Sequence, residues 1–110
     1  MYICAKFQSY VEHGAICLSI VLIAALTPYV VIERSRKGTG IDYWLGDGQS
    51  VLFQKKARLE VSGILKGNET SLKNRYAAKV EQTKKTDVTQ LPAYISVIEF
   101  GTPKAMFTQK

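Results

Sequence analysis

The chain has 110 residues, the size of a single domain, and we predict one domain over residues 1–110. Its hydrophobic fraction of 46% excludes a largely disordered chain. The two cysteines have no CxxC spacing and therefore predict no zinc site, and reduced thiols favour a cytoplasmic location.

A formal net charge of +6 favours polyanionic partners, either nucleic acid or an anionic membrane surface. The positive residues are bunched along the chain: Arg34, Arg36 and Lys37; Lys55, Lys56 and Arg58; then Lys66, Lys73, Arg75, Lys79, Lys84 and Lys85. A solvated basic surface accounts for the same charge without any ligand. We predict a nucleic-acid partner, with DNA favoured over RNA, and keep the solvated surface as the alternative.

An uncharged run, AICLSIVLIAALTPYVVI, extends from Ala15 to Ile32 and is long enough for a membrane span to be considered. Thr27-Pro28 divides it, because proline disfavours helix in the residue before it. The residues that follow are aromatic and β-branched, which is typical of a strand. We therefore predict a helix from about Tyr10 to Leu26 and a strand from about Tyr29 to Arg34, with no membrane association. A small membrane-anchored protein is the less favoured alternative.

The predicted helix has a marked start and an unusual surface. Ser9 and Glu12 have the spacing of a capping box, in which each side chain binds an unpaired backbone N–H group. The helix is apolar nearly all round, whereas a surface helix shows a polar stripe. One side can pack on the sheet, and covering the other side predicts a homodimer.

The remaining elements are predicted from turn signals and apolar periodicity. After a glycine turn at Arg36–Gly40 they are a strand at Ile41–Leu45, a strand at Ala57–Leu65, a helix from Glu69 to about Lys84 with Asn68 as its N-cap, a strand at Ala93–Phe100 and a marginal strand in the tail. In the strand at Ala57–Leu65, apolar residues alternate with Arg58, Glu60 and Ser62. The fold class is α/β (α+β), with a single mixed sheet in the order helix-strand-strand-strand-helix-strand.

This order, with Asp42 on the second strand and Glu60-Val61-Ser62 on the third, resembles the PD-(D/E)XK nucleases. The resemblance implies a restriction-endonuclease-like core and an Mg²⁺ (or Mn²⁺) site held by Asp42 and Glu60. The segments RKGTGIDYWLG and ARLEVSG also resemble small uncharacterised bacterial proteins, which implies no function. Two residues depart from the motif: Ile41 stands in place of its proline, and Ser62 in place of its lysine.

The missing lysine matters because it orients the attacking water and neutralises charge in the transition state. Ser62 can donate a hydrogen bond but carries no charge. Arg58 on the same strand face, or a cation of the following helix (Lys73, Arg75 or Lys79), is a candidate substitute. Without a substitute, the chain is an inactive nucleic-acid-binding or assembly domain of the same fold.

The resulting hypothesis is a metal-dependent nuclease-like domain. Its candidate catalytic residues are Asp42, Glu60, Ser62 and Arg58, its metal ligands Asp42 and Glu60, and its nucleic-acid-binding residues Arg34, Arg36, Lys37, Lys73 and Arg75. Asp42 can oppose Glu60 on an antiparallel strand pair only if the connection is centred near Val51. Two carboxylates that close repel each other unless a proton or a cation joins them. Structural roles remain open for both: Asp42 as a strand-start residue, and Glu60 as the partner of a neighbouring cation.

Overall fold

The computed structural model describes residues 2–35, 42–47, 55–101 and 103–110, with side chains from Tyr10 onward except those of Lys85 and Val88. The elements in chain order are α1 (Tyr2–Leu26), β1 (Val30–Arg34), β2 (Tyr43–Gly46), β3 (Ala57–Ile64), α2 (Glu69–Thr83), a 3-10 helix (Lys84–Thr89), β4 (Ala93–Glu99) and β5 (Lys104–Gln109).

The strands form one mixed five-stranded sheet in the order β1-β2-β3-β4-β5. β3 and β4 are parallel, and the other neighbouring pairs are antiparallel. Parallel neighbours need a long crossover, and α2 supplies it between β3 and β4. The α+β class and the predicted order of elements are confirmed. A bulge between Val31 and Glu33 interrupts the pairing of β1 with β2.

The helix α1 ends as predicted but begins earlier. Thr27 Oγ1 donates to the carbonyl of Ile23 at 2.7 Å and accepts the Tyr29 N–H at 3.0 Å, so the chain turns into β1 beside Pro28. The predicted start at Tyr10 is wrong, because the helix runs from Tyr2 and Ser9 lies inside it. The capping box is defined by only two residues, and the residues before it are compatible with helix. The pattern alone therefore does not fix where the helix starts.

Two elements near the carboxyl end differ from the prediction. The 3-10 helix continues directly from α2, where only the end of a helix was expected. β5, predicted as a marginal strand, pairs with β4 from Tyr94↔Gln109 to Glu99↔Lys104. β4 is therefore an interior strand, and all seven of its residues are buried.

The two helices pack on opposite faces of the sheet. α1 covers a mainly apolar cluster: Ala15, Ile23, Leu45, Ala57, Leu59, Val61, Tyr94 and Ile98. At Gly63, a Cβ would lie 2.8 Å from the Val11 carbonyl oxygen, so only glycine allows α1 this close to β3. On the other face, Leu72 of α2 packs on Ile95 and Val97 of β4.

β3 is buried on both faces, which positions the candidate site. Its residues Ala57 to Gly63 are all buried, although the alternation of the sequence places Arg58, Glu60 and Ser62 on a single face. That face lies under α2, and buried polar groups require partners there.

Among the described residues, no helix is long and apolar enough to cross a membrane.

Candidate functional site

Asp42 and Glu60 lie opposite each other at the end of β2. Tyr43 pairs with Leu59 and Leu45 with Ala57, so the register continues to Asp42 and Glu60. It also centres the connection at residue 51, as the predicted opposition of the two carboxylates required. Residues 48–54, which carry most of that predicted loop, lie outside the described part of the chain.

Asp42 is held by the backbone of β3. Its N–H donates to the Leu59 carbonyl at 3.1 Å, and its Oδ2 accepts the Val61 N–H at 2.8 Å. The carboxylate therefore acts as an acceptor for β3 where the pairing with β2 ends. Its side chain remains 37% exposed, so this end of the site is open to solvent.

Glu60 is fully buried in the middle of β3. Its Oε2 lies 3.0 Å from Lys79 Nζ, whereas its buried Oε1 has no hydrogen-bond partner among the described residues. The pKa of the Glu60 carboxyl is raised to about 7, because burial, the largest cause, and the charge of Asp42 both raise it while Lys79 opposes them. Near neutral pH this group can therefore either hold or release a proton.

Lys79 joins the two carboxylates from α2. Its Nζ lies 3.0 Å from Glu60 Oε2 and 3.5 Å from Asp42 Oδ2, and its side chain is 15% exposed. An ammonium group at this position offsets the repulsion that two neighbouring carboxylates otherwise suffer. Ser62 carries no charge, and the cation that stands beside the two carboxylates comes from the following helix.

Three pairs of polar residues connect β3 with α2 in a regular series. Arg58 Nη1 donates to the Thr83 carbonyl at 3.1 Å, Lys79 binds Glu60, and Arg75 Nη1 donates to Ser62 Oγ at 2.6 Å. Two residues of a strand advance about 6.7 Å and four residues of a helix about 6.0 Å. Every second residue of β3 therefore meets every fourth residue of α2, and we call these three pairs the polar ladder.

Arg58, predicted as a catalytic residue, has all three guanidinium nitrogens bound by the segment after α2. Beyond Thr83, they donate to Thr86 Oγ1 at 2.7 Å, to Asp87 Oδ1 at 3.3 Å and to the Leu91 carbonyl at 2.8 and 3.2 Å. Arg58 therefore fixes the 3-10 helix against the sheet. Sequence reasoning missed this segment because no apolar periodicity marks it.

The predicted nucleic-acid-binding residues are not all on one face. Arg34 pairs with Tyr43 across β1 and β2, which places it on the α1 side of the sheet. Lys73 and Arg75 are exposed on α2, and Arg75 is adjacent to the carboxylates through Ser62. Arg36 and Lys37 lie outside the described residues.

Two carboxylates, one with a buried oxygen that has no partner among the described residues, are suitable ligands for a hard divalent cation. Mg²⁺ is commonly bound through one or two carboxylates while it keeps several waters. Within the described part of the chain, no third acidic, histidine or cysteine side chain joins the pair. The orphaned Oε1 of Glu60 is the atom that most needs a cation or a proton.

Comparison of the chain with protein-family models, with curated proteins and with solved structures gave no match.

Proposed function

We propose that the chain is a metal-dependent nuclease-like domain that cleaves nucleic-acid phosphodiesters, with DNA preferred over RNA. The observation that supports this best is Lys79 Nζ between the carboxylates of Asp42 and Glu60. Two carboxylates and a lysine are the groups that the PD-(D/E)XK resemblance implies. In this proposal Lys79 of α2 replaces the lysine missing from position 62.

The proposal extends to the fold. An α helix, three strands, a second α helix and a fourth strand follow one another as the resemblance implies. Glu60 stands on β3 and Asp42 directly before β2, where continuation of the register puts it opposite Glu60. These features support a restriction-endonuclease-like core, to which β5 is an addition. A nucleic-acid substrate is also consistent with the cytoplasmic location expected from the cysteines.

Asp42 and Glu60 are the residues that would hold Mg²⁺ or Mn²⁺. When bound, the ion lowers the pKa of a water and neutralises charge on the phosphate. Glu60 must release its proton to act as a ligand, and its pKa of about 7 allows this slightly above neutral pH. The ammonium group of Lys79 stabilises the negative charge that develops on the phosphate, in a site mostly shielded from water.

Arg75 extends the positive region beyond Lys79. Among the described residues its guanidinium donates to Ser62 through Nη1, and the other N–H groups of this exposed residue can meet a phosphate oxygen. In this proposal Ser62 orients Arg75, whereas Lys73 contributes charge at longer range. Cleavage should then require Lys79 most and Lys73 least.

The direct test is cleavage of labelled DNA, in single-stranded and duplex forms, with Mg²⁺ or Mn²⁺ and after chelation. We expect Glu60→Gln, Asp42→Asn and Lys79→Ala each to lower the rate at least about 100-fold. Lys84→Ala is the matched control, because Lys84 is a cation directly after α2 that forms an ion pair with the exposed Glu81. Equal rates for the wild type and Glu60→Gln would exclude the proposed reaction.

A second candidate is a nucleic-acid-binding or assembly domain without catalysis. Lys79 supplies one positive charge to the two carboxylates, and a proton on Glu60 then leaves the site neutral without a metal ion. In that case Mg²⁺ would leave the melting temperature unchanged, whereas binding to the native state must raise it. A melting curve with and without Mg²⁺, for the wild type and Glu60→Gln, separates the two candidates.

A further inference from the structure

Trp44 stands beside the carboxylates without belonging to the core. Asp42 directly precedes β2, and Trp44 lies two residues after it on that strand. Both side chains therefore project from the sheet toward α2, about 6.7 Å apart along the strand. A strand tryptophan usually packs in a core. Trp44 is instead half-buried, and within the described residues it is part of neither apolar cluster.

The flexible side chain of a lysine, Lys55, covers the Trp44 ring. Lys55 Nζ lies 4.7 Å from the ring centroid and 3.2 Å from Glu33 Oε1. The side chains of Lys55 and Glu33 are 47% and 53% exposed, so water screens their attraction and the pair is weak. Stacking of a nucleic-acid base on an aromatic ring is stronger than an exposed contact between a cation and a ring. A base can therefore displace Lys55 from the ring and leave its charge available for a phosphate.

We infer that Trp44 and Lys55 form a stacking platform for an unpaired base. This base belongs to a nucleic-acid strand whose sugar-phosphate backbone reaches Asp42 and Glu60. The inference rests on the proposed function and specifies its substrate class as single-stranded nucleic acid or the single-stranded part of a branched one. Sites for single strands combine aromatic rings with cations that follow the backbone. Bases inside a duplex are already stacked on both faces, so a duplex offers this ring nothing to bind.

The protein contains one tryptophan, so its tryptophan fluorescence, excited selectively over that of its tyrosines, reports on Trp44 alone. The full chain is titrated in chelator, where cleavage is suppressed, with a short oligothymidylate and with a duplex hairpin whose loop is a linker without bases. We expect the oligothymidylate to quench the fluorescence and the hairpin to leave it unchanged. In anisotropy measurements, Trp44→Leu should weaken oligothymidylate binding about tenfold, whereas Trp44→Phe, which keeps a ring, should stay within about threefold.

Circular dichroism melting of each variant checks that the fold is retained, and the quenching comparison on the wild type keeps the test valid if Trp44→Leu unfolds. Equal quenching by hairpin and oligothymidylate, or unchanged affinity in Trp44→Leu, would overturn the platform. Oligothymidylate binding without quenching would overturn it as well. Cleavage that persists in Trp44→Leu without preference for single strands rejects the platform and leaves the nuclease. Specific quenching without any cleavage rejects the nuclease and keeps the platform as a binding site.

Discussion

The two faces of the sheet are built on different principles. Under α1 the contacts are mainly apolar, and the helix approaches so closely that position 63 has no room for a side chain. Under α2, next to a small apolar cluster, the polar ladder connects β3 to the helix through ions and hydrogen bonds. The same strand serves both faces because its side chains alternate.

This difference separates stability from chemistry within one strand. Val61 and Gly63 of β3 belong to the α1 face, where shape decides the free energy. Glu60 belongs to the α2 face, where a buried carboxylate costs free energy and persists only with a partner. The α1 face should therefore respond to changes of volume, and the α2 face to changes of charge and pH.

The largest effect is expected at Gly63. A Cβ there meets the Val11 carbonyl oxygen at 2.8 Å and Val11 Cγ1 at 2.9 Å, so Gly63→Val must push α1 away from the sheet. We expect the free energy of unfolding to fall by about 3 to 4 kcal/mol, measured by urea denaturation. Ile64→Val, at the next and half-buried position, should cost about 1 kcal/mol or less. Equal losses for both variants would contradict the close approach.

The next effect concerns the protonation of Glu60. Its pKa is 4.5 in the unfolded chain and about 7 in the folded chain, so the folded state binds more protons between these values. The contribution of Glu60 to stability is therefore highest below pH 4.5 and is lost as the pH rises through about 7. We expect this loss to reach at most about 3 kcal/mol. Urea denaturation across this range should show that Glu60→Gln loses less stability than the wild type, and parallel curves would refute the raised pKa.

A smaller effect is expected at the polar contact inside the α1 face. Ser19 Oγ donates to Ser96 Oγ at 2.7 Å, and both residues are fully buried. Ser19→Ala leaves the Ser96 hydroxyl buried without this partner and should cost about 1 kcal/mol. The double variant with Ser96→Ala should recover part of that loss in a double-mutant cycle. A strictly additive cycle would mean that the two hydroxyls do not interact.

The smallest effect on stability is expected on the outer side of α1. Leu18, Val21 and Leu26 are exposed there, Val21 at 62%, and we propose that this surface forms the homodimer predicted from the sequence. Val21→Lys should convert the dimer to a monomer in sedimentation while changing the intrinsic free energy of unfolding by about 0.5 kcal/mol or less. If the wild type already sediments as a monomer at micromolar concentration, the dimer is wrong.

Local sequence signals were sufficient for most of the fold. Pro28 marked the end of α1, and Asn68 capped α2 by accepting the Ser71 N–H at 2.9 Å. The strands β3 and β4 began at the predicted residues. The early start of α1 and the full length of β5 were missed. The start of α1 depends on helix propensity, and the length of β5 depends on pairing with the buried β4. No local sequence motif indicates either of them.

The site was predictable in part. The opposition of Asp42 and Glu60 followed from strand register, which the sequence constrains through alternation. The sequence left Arg58 and three cations of α2 as candidates for the missing lysine. The choice of Lys79 depends on how α2 lies along β3, which is a tertiary property. One sequence signal could have indicated Lys79. Arg75, Lys79 and Thr83 recur every four residues, and this spacing matches the two-residue spacing of Arg58, Glu60 and Ser62 on β3.

The bulge in β1 bears on how the protein behaves at high concentration. An edge strand with a regular row of N–H and C=O groups is a template for the strand of another molecule, and a bulge disrupts that row. β1 carries the bulge together with the charges of Glu33 and Arg34, so this edge resists sheet extension. β5 pairs regularly with β4 through all six of its residues. Aggregation by edge-to-edge strand addition should therefore begin at β5, and a charge introduced there is the change that would suppress it.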